Sequence, residues 1–352
     1  MAIYAVWNNK GGVGKSYLTF QMSCEYARQN PNKKVLVVDM CPQANSSTML
    51  LGGMQDGETK LNEIHVQSNR KTISGYLENR IASPYLSPRT GATYLTHVAS
   101  INSQVPNNLY LIVGDEQLET QASKVARATL PGPADAWRTV HLWVADLIHD
   151  IKTSWNHEDS CVFIDCNPSF SIYTELALSA SDRLIIPFSA DGSSKRAVKA
   201  VLSLVYGVQR LSTDPRSEFA INNEQFRLRV PEIYMYVGNR LTQMNSTSAS
   251  AFKTVVDEIG DEIWGVWQTK PNAFCIHPSG APTPVSKKTF KAMFQHEIND
   301  ANTASVVSSA LGIPISVLTS GRQTVSGKTI VVNQSQLDKQ VPNIRELVEK
   351  IE

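Results

Sequence analysis

Short, mostly apolar runs recur along the chain, and between them lie stretches in which apolar positions return every three or four residues. The runs are Ile3 to Trp7, Lys34 to Val38, Leu109 to Val113, Cys161 to Ile164, Leu184 to Ile186 and Ile233 to Val237. Continuous apolar runs, as opposed to strict alternation, point to strands covered on both faces. Ser16 to Arg28, Ala197 to Leu211 and Ala249 to Ile259 carry helical spacing. The alternation of buried strand and helix predicts an α/β fold, a doubly wound, mostly parallel sheet with helices on both faces. Several of the strands end in Asp or a polar turn, which places a site at the carboxyl edge of such a sheet.

Two regions resist this pattern. Gly53 to Asn108 is rich in Ser, Asn, Thr and Gly with only fragments of periodicity, and Trp264 to Pro284 mixes Trp, Pro and His. Neither is flanked by a linker long enough to mark a boundary, so residues 1–352 read as a single domain. The elaboration spans about 53–108, and the chain closes in a C-terminal helical region. The final stretch has apolar spacing at Ile344, Leu347, Val348 and Ile351, but its polar face holds three Glu against two basic residues. A membrane-surface helix is basic on that face. Packing against the core is therefore the reading, and no membrane partner is expected.

Composition narrows the class. The 352 residues include 33 Lys+Arg and 32 Asp+Glu, a net charge of +1, with 42% hydrophobic residues. That balance excludes a polyanion binder recognisable from charge alone, although a local basic patch fits inside it. The five cysteines are scattered, with no metal-type spacing. The N-terminus enters a strand at once, without the charged and apolar regions of a signal peptide, so a reduced, cytoplasmic protein is expected.

The candidate chemistry begins where Ile3 to Trp7 runs into Asn8-Asn9-Lys10-Gly11-Gly12-Val13-Gly14-Lys15-Ser16 and then a helix. Strand, glycine-rich loop and helix is the context a phosphate loop requires. Backbone N–H groups of Gly11, Gly12, Val13 and Gly14 turn toward an anion, and Lys15 reaches the β- and γ-phosphates. The Ser16 hydroxyl ligates Mg²⁺, and Tyr17 continues the helix beside the nucleotide. ATP and Mg²⁺ are thus the expected cofactors. Asp39, after Lys34 to Val38, and Asp165, after Cys161 to Ile164, bring carboxylates to the same edge, where they can hold waters of the Mg²⁺ shell.

Asn9 stands where the general phosphate-loop pattern has its first glycine, and Lys10 follows. Lys10 through Ser16 resembles the deviant Walker A loop K-G-G-x-G-K-[ST] of the ParA, Soj and MinD ATPases. Asp39 through Gln43 is similar to that family's D-x-D-P-Q switch, and Asp165 through Ser169 to its D-x-P-P-S element. The resemblance implies a P-loop NTPase fold and an ATP-state homodimer in which Lys10 crosses to the partner's phosphates. It implies that Val237-Gly238-Asn239-Arg240 offers Asn239 to adenine. One position departs from the family: its second switch aspartate, which positions the attacking water, is Cys41 here. A thiol is mostly neutral at pH 7 and a weak acceptor. Either hydrolysis is slow, or another group such as Asp39 or an activator's residue takes over.

ParA-like members bind nonspecific duplex DNA and act on large cargo, a plasmid or chromosome region, with a ParB-like or other adaptor protein. The resemblance therefore implies nucleoid association in the ATP state. From Ala281 to Ile330 the five basic residues Lys287, Lys288, Lys291, Arg322 and Lys328 outnumber two acidic ones, a candidate DNA face that an ordinary solvated surface matches equally in composition. No helix-turn-helix region precedes the first strand, which disfavours operator binding, and no cysteine pair suggests a shared cluster like that of the nitrogenase iron protein. The alternative function is a nucleotide-gated scaffold or regulator with negligible turnover.

Overall fold

A computed structural model describes residues 2–130, 132, 135–209, 211–241 and 247–352. Its strands are β1 (Ile3–Val6), β2 (Lys34–Asp39), β3 (Thr96–His97), β4 (Leu109–Ile112), β5 (Ser160–Asp165), β6 (Arg183–Phe188), β7 (Glu232–Leu241) and β8 (Gln295–Asn299), with a separate hairpin of β9 (Gly321–Val325) and β10 (Lys328–Val332). The helices are α1 (Lys15–Gln29), α2 (Asn45–Leu50), α3 (Gly53–His65), α4 (Ile73–Ala82), α5 (Leu118–Ala128), α6 (Ala136–His141) and α7 (Trp143–Ser154). They continue as α8 (Ile172–Ser179), α9 (Ser194–Tyr206), α10 (Glu218–Phe226), α11 (Thr247–Thr269), α12 (Lys287–Phe294), α13 (Thr303–Leu311) and α14 (Gln334–Glu349).

The main sheet runs β3-β4-β2-β5-β1-β6-β7-β8, parallel throughout except for the edge pair β3–β4. Alternate residues of each strand face opposite sides, so two cores form. Tyr4 and Val6 of β1 join Val35 and Val37 of β2 on the face covered by α1 and α14. Ala5 and Trp7 join Leu36 and Val38 on the other face, with Trp143 and Leu147 of α7. This is the expected doubly wound architecture, and it explains why the strands read as unbroken apolar runs.

Three local readings change. The helix expected to reach Leu211 stops at Tyr206, because Gly207 takes a left-handed φ of 61° that ends it. The helix expected over Ala249 to Ile259 runs on to Thr269, since Val256, Ile259, Ile263, Val266 and Trp267 continue one buried stripe. The stretch 53–108 is more regular than its polar composition suggested: it holds α3, α4 and the edge strand β3. In the tail, Ile344, Leu347, Val348 and Ile351 are buried, and α14 packs on α1.

The elaboration is fastened by a backbone approach that excludes side chains. A Cβ on Gly53 would lie 2.2 Å from the Ala310 carbonyl oxygen, and Gly53 also has φ +84°. Helix α3 therefore docks on α13 through glycine. Gly53→Ala is expected to destabilise the protein by about 2–3 kcal/mol through overpacking and backbone strain. Gly11→Ala, where an added Cβ meets nothing within 4 Å, serves as the neutral control. Urea unfolding midpoints check this, and equal midpoints for both variants would contradict the contact.

Candidate functional site

Strands β2, β5 and β1 lie side by side, so the loops that leave their carboxyl ends converge. The loop after β1 carries Gly12 and Gly14 at φ 77° and 79°, and Gly14 is the left-handed N-cap of α1. A side chain at either position would be strained, which accounts for both glycines. Asn8 anchors the loop through Nδ2, which donates to the Pro187 carbonyl at 2.7 Å. Buried Lys15 donates to the Lys10 carbonyl at 2.8 Å, and burial lowers its pKa. A cavity of about 600 Å³ opens here, lined by Gly11, Gly12, Gly14, Lys15, Ser16 and Tyr17 from the loop and by Cys41 and Cys166 from the neighbouring strand ends.

Asp39 and Asp165 are register partners on β2 and β5, and both are fully buried. Both oxygens of Asp39 are engaged: Oδ1 accepts from the Cys41 amide at 3.0 Å, and Oδ2 from the Ser47 amide at 3.0 Å and hydroxyl at 2.7 Å. Gly114 closes over it, its amide donating to Ser47 Oγ at 2.9 Å. A Cβ there would sit 2.8 Å from Asp39 Cγ. Burial raises the Asp39 pKa, and the bonds from Ser47 and Cys41 offset part of the rise.

Asp165 is the contrast. Neither carboxylate oxygen has a hydrogen bond of normal geometry. Burial first, then the Asp39 charge, pushes its pKa up to about 7, while the nearby Ser16 and Ser46 hydroxyls and Lys15 ammonium offset part of that. A buried acid without partners, next to the Ser16 hydroxyl and the phosphate loop, fits a hydrated divalent cation. Asp165 and Ser16 would hold it, and bound Mg²⁺ would neutralise phosphate charge. Asp39, expected as a metal and catalytic residue, engages both oxygens with the segment that follows β2 in this structure.

The remaining expected residues separate. Cys41 lines the cavity, and burial, then the Asp39 and Asp165 charges, pushes its thiol up to about 12, so it is neutral. Val13 is buried, and the Tyr17 hydroxyl donates to Gln340 Oε1 at 2.6 Å. Asn239 Nδ2 donates to the carbonyls of Val13 at 3.0 Å and Gly14 at 3.4 Å, bracing the loop from behind, while its Oδ1 is buried without a partner. Lys10 does not line the cavity. It pairs with Asp191 and donates to Ser189 Oγ and Ser194 Oγ, each at 3.2 Å. Burial would raise the Asp191 carboxyl, but bonds from Lys10, Ser189 and Ser193 hold it well below the usual carboxylate range. Asp191 lies in the segment that follows β6, and nothing in the linear order of residues pairs it with Lys10. Of the candidate DNA contacts, Lys287 and Lys291 on α12 form ion pairs with Asp261 and Asp257 of α11, which their composition did not show. Lys288, Arg322 and Lys328 are exposed, the last two on the β9–β10 hairpin.

A family profile for an AAA domain matches residues 1–221 of the chain. The chain belongs to this family. It is a deviant Walker A ATPase of the ParA/MinD type. A sequence search of curated proteins finds no match. Among solved structures, the fold is similar to the ATP complex of a Cyanothece McdA variant, at 14% identity and TM-score 0.60, covering 100% of this chain and 98% of that one. It is also similar to cobyrinic acid a,c-diamide synthase from Mycobacterium smegmatis with ADP and magnesium, at 16% identity and TM-score 0.51, covering 82% and 90%. No helix among the described residues is long and apolar enough to cross a membrane.

The Asp165 environment gives this ATPase a proton signature. Because its folded pKa is raised toward about 7, Asp165 favours folding of the nucleotide-free protein at acid pH, and that stability is lost as pH rises toward 7. Just below pH 7, cation binding should expel the proton. Calorimetric heats of MgATP binding in two buffers of different ionisation enthalpy should show proton release by the wild type and none by Asp165→Asn.

Proposed function

We propose that this ATPase is a nucleotide-gated dimer. MgATP sits against Gly11 to Ser16 with Lys15 and Asp165, and Lys10 of each protomer crosses to the other's phosphates. The observation that carries this reading is the position of Lys10, on the same loop as Lys15 but outside the cavity Lys15 lines. In support, the McdA variant forms an ATP complex, and the mycobacterial synthase binds ADP with magnesium. The unpartnered Oδ1 of Asn239 is an acceptor suited to the adenine amine.

The ATP dimer in this proposal binds nonspecific duplex DNA, associates with the nucleoid, and positions a plasmid, chromosome region or other large cargo through a ParB-like or other adaptor. Two ion-paired lysines shift the DNA contacts to Lys288, Arg322 and Lys328. Neutral Cys41 favours slow basal turnover, and that same residue favours the second reading, a nucleotide-gated scaffold in which occupancy alone sets a partner interaction.

Sedimentation with ATP should show a dimer, and with ADP a monomer, while Lys10→Ala should stay monomeric with ATP yet still bind it. DNA affinity of the ATP form should fall steeply with salt, and charge reversal at Lys288, Arg322 and Lys328 should weaken it. An ATP dimer that ignores DNA would favour the scaffold. Cys41→Asp should raise basal hydrolysis several-fold, within the ~10² to 10⁴ a positioned acid or base contributes, without tightening nucleotide binding. Steady-state phosphate release measures this, and an unchanged rate removes Cys41 from the catalytic position.

A further inference from the structure

The nucleotide cavity does not end at Cys41. A second cavity of about 260 Å³ adjoins it, and Cys41 and Gln43 line both. Its far wall is Asn167, Ser169 and Tyr173 from the loop after β5 and the start of α8, together with Glu119 from the first turn of α5. The topology brings Glu119 there. Strand β4 pairs with β2, so the helix that follows β4 starts beside the loop that follows β2. That first turn is fixed at two points. Asp115 Oδ1 accepts from the Gln117 amide at 2.9 Å, and the Leu118 carbonyl accepts from the Tyr173 hydroxyl.

The carboxylates around the two cavities have different commitments. Asp39 engages both oxygens with Cys41 and Ser47. Asp165 stands with Ser16 and Lys15 on the cation side. Glu58 lines the nucleotide cavity and accepts from Thr48 Oγ1 at 3.2 Å with one oxygen, Oε1. Glu119 is exposed and makes no side-chain hydrogen bond or ion pair among the described residues. It is the carboxylate that lines the second cavity, with lone pairs free in a space that opens on Cys41 and is roomy enough for ordered water.

We propose that Glu119 is the residue that orients the attacking water in this enzyme, acting through the cavity it shares with Cys41. The proposal rests on the ATPase reading above. The water oxygen forms the bond to the γ-phosphorus, and the bond from that phosphorus to the bridging oxygen breaks with its electron pair leaving on ADP. Glu119 accepts the water's proton along water in the cavity it shares with Cys41 and returns it to solvent as phosphate departs. The neutral Cys41 thiol then marks the opening through which this acid acts, and turnover is slow because the carboxylate stands one cavity removed.

The test compares wild type, Glu119→Gln, Glu119→Asp and the double variant Glu119→Gln/Cys41→Asp. Glu119→Gln should lower kcat for ATP at least about tenfold, with KM and the calorimetric Kd for MgATP within about twofold. It should lengthen the lifetime of the ATP dimer in sedimentation by a similar factor. Glu119→Asp should keep part of the rate, its pH profile should follow a carboxylate, and the double variant should recover turnover. Glu119→Gln hydrolysing at the wild-type rate, losing ATP affinity in step with kcat, or showing no recovery with Cys41→Asp would each overturn the proposal. A wild type that binds MgATP but never hydrolyses it would overturn this inference and leave the nucleotide-gated reading standing. A wild type that binds no MgATP would overturn that reading itself.

Discussion

Two carboxylates in register on adjacent buried strands repel each other and both lose hydration, an arrangement that costs several kcal/mol per ion unless each is compensated. In this protein the compensation is unequal. Asp39 receives three hydrogen bonds from the segment that follows it, which offset part of the cost of burying its charge. Asp165 receives none of normal geometry. The consequences spread outward: Ser47 must face inward from α2, Gly114 must lack a side chain to let Ser47 and Asp39 meet, and a cation would complete what the protein leaves open. The local geometry of the switch loop, the start of α2 and the turn after β4 all follow from satisfying one acid and not the other.

This division also separates what the sequence could show from what it could not. The strands were legible because burial on both faces leaves unbroken apolar runs, and the phosphate loop because its glycines sit at fixed offsets from a lysine. The placement of Asp39 and Asp165 at one edge was legible for the same reason, since each terminates a strand. Their opposite hydrogen-bonding states were not, because these depend on Ser47 and on Gly114, which arrives from the end of a different strand. The regular structure within 53–108 was hidden by polar composition: α3 leaves only Gly53, Gly57, Leu61 and Ile64 buried, and two of these are glycines that no hydrophobic pattern registers.

Charge counting met a similar limit. Lys287 and Lys291 counted as a basic surface along the chain, yet α11 brings Asp257 and Asp261 against them from an earlier part of the sequence. Glu119 shows the converse. As a first-turn acid it suits the dipole of α5. Its interest lies in the adjacency of β4 and β2, which no linear reading of residues around 119 conveys.

The pairing of Lys10 with Asp191 carries a consequence for symmetric assembly. In the proposed dimer each protomer must release this lysine before it can engage the opposite nucleotide. In a two-fold dimer the release happens twice for each association event. Whatever factor the internal pair imposes on one lysine therefore enters the dimer association constant squared. A modest surface ion pair becomes a sharpened threshold, one that sets how much protein must accumulate before pairing begins while leaving nucleotide binding by the lone protomer unchanged.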